Sequence, residues 1–438
     1  MKILVIGSGG REHALVWKLA QSPLATEMWC APGNAGIGLE KLASNGKKVQ
    51  CVSISAEDLP ALIDFAKCNQ PDLTVVSSDN PLGMGIVDLF QKEGFIIWGP
   101  NQQAAQFEAS KAFSQGFMER HGIPTAKSGI FTEADPAIKF SEELNGHCAV
   151  KVSGLALGKG VFICRTVDEA KDAILSILDE KKFGEAGATI VIQELLEGME
   201  ISLHALCDGK TWQLFPTSQD HKRVYDNDEG PNTGGMGTYS PTPFLSDDEV
   251  AKTASAILDP WLKGCEEEEI DYHGILYPGI ILTKQGPKVL EFNARFGDPE
   301  TQVYMPRLKN DLVELILSSV HGELKDIKLE WNSCYAVCLI LASGGYPGKY
   351  EKGKVITGLE DVAKMQDVKV FHAGTKLRGN DIVTSGGRVL GVTAWADTLK
   401  EARDKAYLAA QKIHFDGAYH RNDIAEKGIK HLQEWEIK

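Results

Sequence analysis

Nowhere in the 438 residues do about eighteen apolar side chains run together, the length a helix needs to cross a bilayer, so no membrane span is expected. The early apolar run Ile3 to Ile6 is too short for a secretory signal and reads as a first β-strand. Basic residues are scarce beside acidic ones, 46 Lys plus Arg against 60 Asp plus Glu, for a net charge of −14. That balance argues against a nucleic-acid partner, which requires a basic face to displace counterions. Small anions remain open, since a few lysines and backbone N–H groups suffice to hold one. The nine cysteines contain no C-x-x-C, the nearest pair being Cys334 and Cys338, and the eleven histidines contain no H-E-x-x-H. Structural zinc is therefore not expected. An odd cysteine count, with Cys30, Cys148, Cys164 and Cys207 in apolar runs, fits reduced thiols in a cytoplasm.

What is present is an ordinary globular composition, 43% hydrophobic and 24% charged, long enough for roughly three domains of ~150 residues. In the first hundred residues, strands at 2–6, 27–31, 72–77 and 95–98 alternate with helical stretches at 12–21, 56–69 and 83–92. That alternation predicts a doubly wound parallel sheet, whose ligands sit beyond the strands' carboxyl ends. Here those ends are Gly7-Ser8-Gly9-Gly10-Arg11-Glu12, Pro32-Gly33-Asn34-Ala35-Gly36, Ser77-Ser78-Asp79-Asn80-Pro81 and Gly99-Pro100. Further on, the pattern predicts one helix over 102–120, two β-α-β-like passes over 128–196 and antiparallel strands over 201–217. A long Gly/Asn/Asp/Pro loop over 219–243, a helix capped by Ser246 and strands at 274–283 and 288–296 follow. Residues 331–438 read as an α+β unit with strands at 335–342, 368–374 and 388–394 and a helix from Thr398. The expected fold class is multidomain, α/β followed by α+β.

The strongest chemical signal is Glu291-Phe292-Asn293-Ala294-Arg295-Phe296-Gly297-Asp298-Pro299-Glu300. Alternation in a strand puts Glu291, Asn293 and Arg295 on one face and Phe292, Ala294 and Phe296 in the core. A carboxylate, an amide oxygen and a guanidinium in one row suit a magnesium–polyphosphate site. The alternative is a surface strand with alternating polar residues. Lys151 ends an apolar strand, where its charge needs a partner such as a phosphate. It could otherwise be an exposed strand-end lysine. The glycine-rich run Ser153–Gly160 with Lys159 offers a phosphate cradle, though it is not a Walker A loop. The strand leading into Gln193-Glu194-Leu195-Leu196 and Glu200 can supply apolar walls, edge hydrogen bonds and a carboxylate to a nucleoside; a strand with a solvated end is the bland alternative. Asp220-His221-Lys222-Arg223 and Gly230-Pro231-Asn232-Thr233-Gly234-Gly235 mix cations with glycines on a long loop, a pattern that favours function. Gly7–His13 follows a strand and opens a helix, a plausible anion cradle. It is not G-x-G-x-x-G, and no acid follows the second strand, so a nicotinamide domain is a poor fit.

These blocks, in this order, resemble the ATP-grasp superfamily and within it the phosphoribosylamine–glycine ligase family. The resemblance runs essentially end to end and includes Ser110-Lys111-Ala112-Phe113, Gly344–Gly348, His372-Ala373-Gly374-Thr375 and Gly386-Gly387-Arg388-Val389. It implies an N-terminal phosphoribosylamine-binding domain at 1–101, an ATP-grasp domain at 102–330 with a lid about 123–195, and a C-terminal domain at 331–438. It implies ligation of glycine to 5-phosphoribosylamine through glycyl phosphate in purine biosynthesis, by a cytoplasmic monomer using ATP and Mg²⁺ or Mn²⁺. Carried over residue by residue, Lys111, Lys151, Lys159, Gln193, Glu194, Leu196 and Glu200 meet ATP, and Glu291 and Asn293 hold the metal. Arg295, Lys151 and Asp298 are the catalytic candidates. Gly9, Gly10, Arg11, Asn34, Asp79, Pro81, Lys222, Arg223, Asn232, Thr233, Gly234 and Arg295 are expected at the substrates.

Two runs depart from the family pattern: Ser77-Ser78-Asp79 where Gly-Pro-Glu is usual, and Ser153 where Asp is usual. Asp79 is one methylene shorter than Glu and can still accept from sugar hydroxyls; Ser153 cannot replace a charge. A paralogue joining another acid and amine, and a non-catalytic nucleotide-binding regulator, stay open at this stage.

Overall fold

The computed structural model describes residues 1–154 and 160–436. The apolar strand β1 (Lys2–Gly7) runs through the middle of a sheet buried on both faces, which is why Ile, Leu and Val fill it without alternation. With β2 (Glu27–Pro32), β3 (Gln50–Cys51), β4 (Leu73–Val76) and β5 (Ile97–Trp98) it forms the order β3-β2-β1-β4-β5, parallel throughout. The helices α1 (Gly10–Leu19), α2 (Leu59–Asn69), α3 (Asp79–Gly83) and α4 (Ile86–Lys92) accompany it. β3 escaped the sequence reading because it is two exposed residues long. Asp79 to Pro81, read as loop, begins the short helix α3.

The single helix expected over 102–120 is two, α5 (Gln106–Ala109) and α6 (Lys111–Arg120). Ser110 separates them: its backbone is extended, and its hydroxyl accepts the Phe113 N–H as the N-cap of α6. Next, β6 (Ser128–Phe131), α7 (Ala134–Glu143), β7 (Cys148–Val152), β8 (Val161–Cys164), α8 (Val167–Leu178) and β9 (Ile190–Glu194) build a sheet ordered β6-β9-β7-β8. Every neighbour pair is antiparallel, so each β-α-β pass is split by an intervening strand.

β10 (Met199–Ser202), β11 (Ala205–Asp208) and β12 (Trp212–Leu214) start another antiparallel sheet. The long loop expected over 219–243 is largely strand. β13 (Gln219–Asp220) and β16 (Gly237–Ser240) join the C-terminal sheet, while β14 (Arg223–Tyr225) and β15 (Glu229–Asn232) form a hairpin. Its turn places Asn227 and Asp228 at positive φ, and such short, glycine-laden strands leave no periodic signal. After α9 (Asp247–Glu267), β17 (His273–Thr283) carries β10 and β11 end to end along one edge and β18 (Gly286–Asn293) along the other.

α10 (Glu300–Tyr304) and α11 (Leu312–His321) lead to β19 (Tyr335–Ser343), α12 (Leu359–Val362), β20 (Val368–His372), β21 (Thr375–Arg378), β22 (Asp381–Thr384), β23 (Arg388–Ala396) and α13 (Leu399–Ala410). The C-terminal sheet runs β13-β16-β19-β23-β20. One apolar cluster joins Val5, Trp98, Phe215, Phe296, Tyr304 and Phe371, so distant parts of the chain share a core. Each such side chain contributes about 1.5–3 kcal/mol on burial. Among the described residues no helix is long and apolar enough to cross a membrane.

Candidate active site

Near the ends of β7, β10 and β18, Glu200, Ser202, Asp220, Lys222 and Tyr277 line a narrow cleft, and Lys151 and Glu291 lie close enough for their charges to act on Lys222 and on each other. Lys151 is 8% exposed and donates to the Leu290 carbonyl at 3.1 Å. Burial, aided by the charges of Lys111 and Lys222 and opposed by Glu291, lowers its pKa to about 8. For Glu291, burial favours the neutral acid, but Lys222, Lys151 and Lys111 outweigh it and hold its pKa down to about 2. Lys222 Nζ lies 3.5 Å from Glu291 and 4.0 Å from Glu200. Burial again opposes its charge, and Glu291, Glu200 and Asp220 win, raising its pKa. Three lysines thus surround one half-buried carboxylate, with the exposed Glu200 at the rim. A polyphosphate would offer further anionic oxygens to Lys151, whose burial is only partly offset by Glu291 and Glu200.

Ser153 has taken on a structural task here. Its carbonyl accepts the Lys111 N–H at 2.9 Å and its hydroxyl the Ala112 N–H at 3.1 Å, fixing the start of α6 beside Lys151. The following residues 155–159, including Lys159, lie outside the described residues. Gln193 and Glu194 have their side chains engaged within the protein. Gln193 donates to Gln115 at 2.5 Å, and Glu194 accepts from the Lys127 N–H at 3.0 Å and from Lys288 at 3.2 Å. The backbone beyond β9 and the half-buried Leu196 are what this strand offers a ligand.

The donors fit Mg²⁺. Glu291 is ionised, and Asn293 turns its amide oxygen to the same side, accepting from Arg295 at 3.1 Å. Among the described residues no group of three or more His, Cys, Asp or Glu is placed to hold a metal. Two protein oxygens match an ion that completes its shell with water and phosphate oxygens.

Arg295 lies just past the end of β18, yet the expected alternation holds: Phe292, Ala294 and Phe296 are 2%, 2% and 1% exposed. Its guanidinium is fixed by Glu108 at 2.8 Å, Asn293 and the Phe296 carbonyl at 3.2 Å, while its buried Nε has no partner. Beside it, Asp79, Glu108, Leu82 and Ala294 line a second, tightly closed recess. The two acids differ. Burial disfavours charge on Asp79, but Arg295 and Arg11 lower its pKa; for Glu108 burial prevails over Arg295 and raises it. Pro81 is buried and does not line this recess.

Asp298 is bound by Arg388 at 3.0 Å and Gln302 at 2.7 Å. Burial opposes its ionisation, and Arg388 and Arg11 overcome it. The carboxylate sits against α1: a Cβ on Gly9 or Gly10 would stand 3.5 or 3.6 Å from its oxygens. The cradle is less open than expected, because the Gly9 N–H donates to Glu12 at 2.7 Å. Arg11 is held by Glu12 at 2.7 Å, the Phe296 carbonyl at 3.1 Å and Ser78 at 3.4 Å. Asn34, expected at a substrate, has its amide fully used: it donates to the Ser8 and His372 carbonyls and accepts from Gly36 and Ile37. On the hairpin side, Arg223 binds the Gly230 carbonyl, Asn232 is exposed, and Thr233 folds back on the Lys222 carbonyl at 2.8 Å. Gly234 accepts from Arg388 at 2.5 Å.

Glu108, Glu12 and Arg388 were not among the expected site residues. Glu108 carries no motif signal within the helix expected over 102–120, Glu12 falls inside the Gly7–His13 block without standing out from it, and Arg388 has only its matched block to mark it.

Three family profiles match the chain: phosphoribosylglycinamide synthetase N domain over residues 1–108, ATP-grasp (A) domain over 109–301 and C domain over 336–427. The phosphoribosylamine–glycine ligase of Escherichia coli O157:H7 is 48% identical over 435 residues, covering 99% of this chain and 100% of the relative. The chain belongs to the phosphoribosylamine–glycine ligase family. The ligase of the same name from Vibrio cholerae serotype O1 is 46% identical over 434 residues, with 99% of this chain and 100% of its own covered. The crystal structure of phosphoribosylamine–glycine ligase from Thermotoga maritima superposes with a TM-score of 0.81 at 32% identity, over 97% of this chain and all of that one. The biotin carboxylase domain of Hydrogenobacter thermophilus 2-oxoglutarate carboxylase shares the fold, with a TM-score of 0.72 at 18% identity over 95% and 91% of the two chains.

Proposed function

We propose that this chain joins glycine to 5-phosphoribosylamine at the expense of ATP, giving glycinamide ribonucleotide, ADP and phosphate in purine biosynthesis. The observation that carries the reading is the three-lysine cluster around Glu291 beside an arginine with an unpartnered Nε. Lys151 and Lys111 receive the phosphates of ATP, with Lys222 at the far wall of the cleft. Glu291 and Asn293 would hold Mg²⁺ (or Mn²⁺), which when bound offsets phosphate charge. The glycine carboxylate then attacks the γ-phosphorus while the bond to the β–γ bridging oxygen breaks and ADP leaves; the lysines reduce the repulsion between the two anions. Arg295 orients that carboxylate through Nε and steadies the resulting glycyl phosphate. The amine of phosphoribosylamine attacks the acyl carbon, the C–O bond breaks, and phosphate leaves with one former carboxylate oxygen. Asp79 is the acceptor for sugar hydroxyls and Asp298, at the start of α1, keeps Arg388 aligned. Closure of the lid over 123–195 limits hydrolysis of the acyl phosphate. Nine free cysteines support a reducing, cytoplasmic setting, and we read the working unit as a monomer. The domain division expected from resemblance, 1–101, 102–330 and 331–438, is retained for function, although β13 and β16 lend strands to the C-terminal sheet.

The test is ADP release with Mg²⁺, ATP, glycine and phosphoribosylamine generated in situ, each component omitted in turn. Turnover that needs both substrates is expected. ATP turnover indifferent to either would favour a paralogue for another acid and amine.

A further inference from the structure

The blocks Gly7–His13, Pro32–Gly36 and His372–Thr375, far apart in sequence, meet at one buried junction. Backbone nitrogen only donates, so the 2.7 Å contact from the His372 N–H makes His13 Nδ1 an acceptor. The proton of the neutral ring is then on Nε2, facing Glu40 at 3.0 Å; Glu40 also binds Lys369 at 2.5 Å. Burial lowers the pKa of His13, so the ring stays neutral, and burial with the nearby Lys369 charge lowers His372 to about 3. Asn34 bridges the Ser8 carbonyl at 2.8 Å and the His372 carbonyl at 2.7 Å. Gly36 leaves the room: a Cβ there would stand 2.4 Å from the His372 ring and 2.5 Å from His13. Ala373, next along, lies 3.7 Å from where a Cβ on Gly10 would stand. None of these side chains is needed to hold ATP. All fix the distance between β20 and the Gly9-Gly10-Arg11 start of α1.

We propose that His13 and Asn34 are positioning residues by which the C-terminal domain sets the shape of the Gly9–Arg11 wall, and hence the affinity for the phosphorylated sugar substrate. The inference rests on the ligase reading above. His13→Phe keeps an aromatic ring beside Phe371, 5.6 Å away, but removes the acceptor; His13→Asn restores an oxygen where Nδ1 stands. In the Phe variant, KM for phosphoribosylamine should rise about tenfold while KM for ATP stays within about twofold. The Asn variant should recover most of the loss. Calorimetric titration with glycinamide ribonucleotide gives the same ranking without turnover. If His13→Phe does not fold, Gly36→Ala, which wedges the two rings apart, should show the same split. A folded variant with unchanged KM for the sugar substrate, or with both KM values raised together, overturns the proposal. If the wild-type enzyme itself ignores phosphoribosylamine, it is the ligase reading that has failed.

Discussion

The two sides of the site are built on opposite principles. On the side assigned to the nucleotide, Lys151, Lys222 and Lys111 crowd Glu291 closely enough that burial and the neighbouring lysines lower the Lys151 pKa. On the side assigned to the sugar, Arg11 is paired with Glu12 and the Phe296 carbonyl, Asn34 with the Ser8 and His372 carbonyls, and His13 with Glu40 and the His372 N–H. An unsatisfied cluster gains most from its ligand, whereas a satisfied one offers a shape already in place. Arg295 stands between them, bound by Glu108 and still carrying one free N–H.

The sharpest break comes at Arg295. Arg295→Ala should abolish ligation, a fall of about 10³-fold in kcat measured by ADP release; near-normal turnover would remove the carboxylate-orienting role. Next is Lys151, whose charge is present below its pKa of about 8 and lost above it. In the free enzyme kcat/KM for ATP should therefore fall as pH rises through about 8. Stability moves the other way: the folded pKa lies below the ordinary 10.5, so the cost of the buried charge relaxes between about 8 and that value. Lys151→Arg stays charged and should erase the alkaline limb; persistence of the limb would assign it to another group.

Glu108→Ala leaves Arg295 without its buried partner and should cost about 3–5 kcal/mol of stability, read as a lower denaturant midpoint, together with slower turnover. Glu108→Gln, which retains a hydrogen bond, should lose less. Equal effects would show that charge plays no part. The smallest change is expected from Ser153→Ala. It removes the hydroxyl's bonds to the Ala112 N–H at 3.1 Å and to the Ser110 hydroxyl at 3.3 Å, about 1 kcal/mol each, and should raise KM for ATP by a few-fold only. A large loss would mean that this hydroxyl meets the nucleotide.

The same contrast marks what the sequence made legible. The parallel sheet is readable because β1, β2 and β4 are largely apolar and buried, with helical stretches between them, and the Glu291–Arg295 row because its alternation is strict. The strands hidden in 219–240 were not, since Gly, Pro and Asn mask any period in elements of two to four residues. Nor was the break at Ser110, where a capping serine looks like any helical serine. Asn34 shows the limit for function: its place at a strand end was correctly read, but only a third domain folding back reveals that its amide is occupied.

The most direct test of the central claim is oxygen transfer from glycine labelled with ¹⁸O in its carboxylate. If that carboxylate attacks ATP beside Lys151 and Arg295, the phosphate released during ligation should carry one labelled oxygen. Unlabelled phosphate, formed alongside glycinamide ribonucleotide, would contradict the glycyl phosphate route.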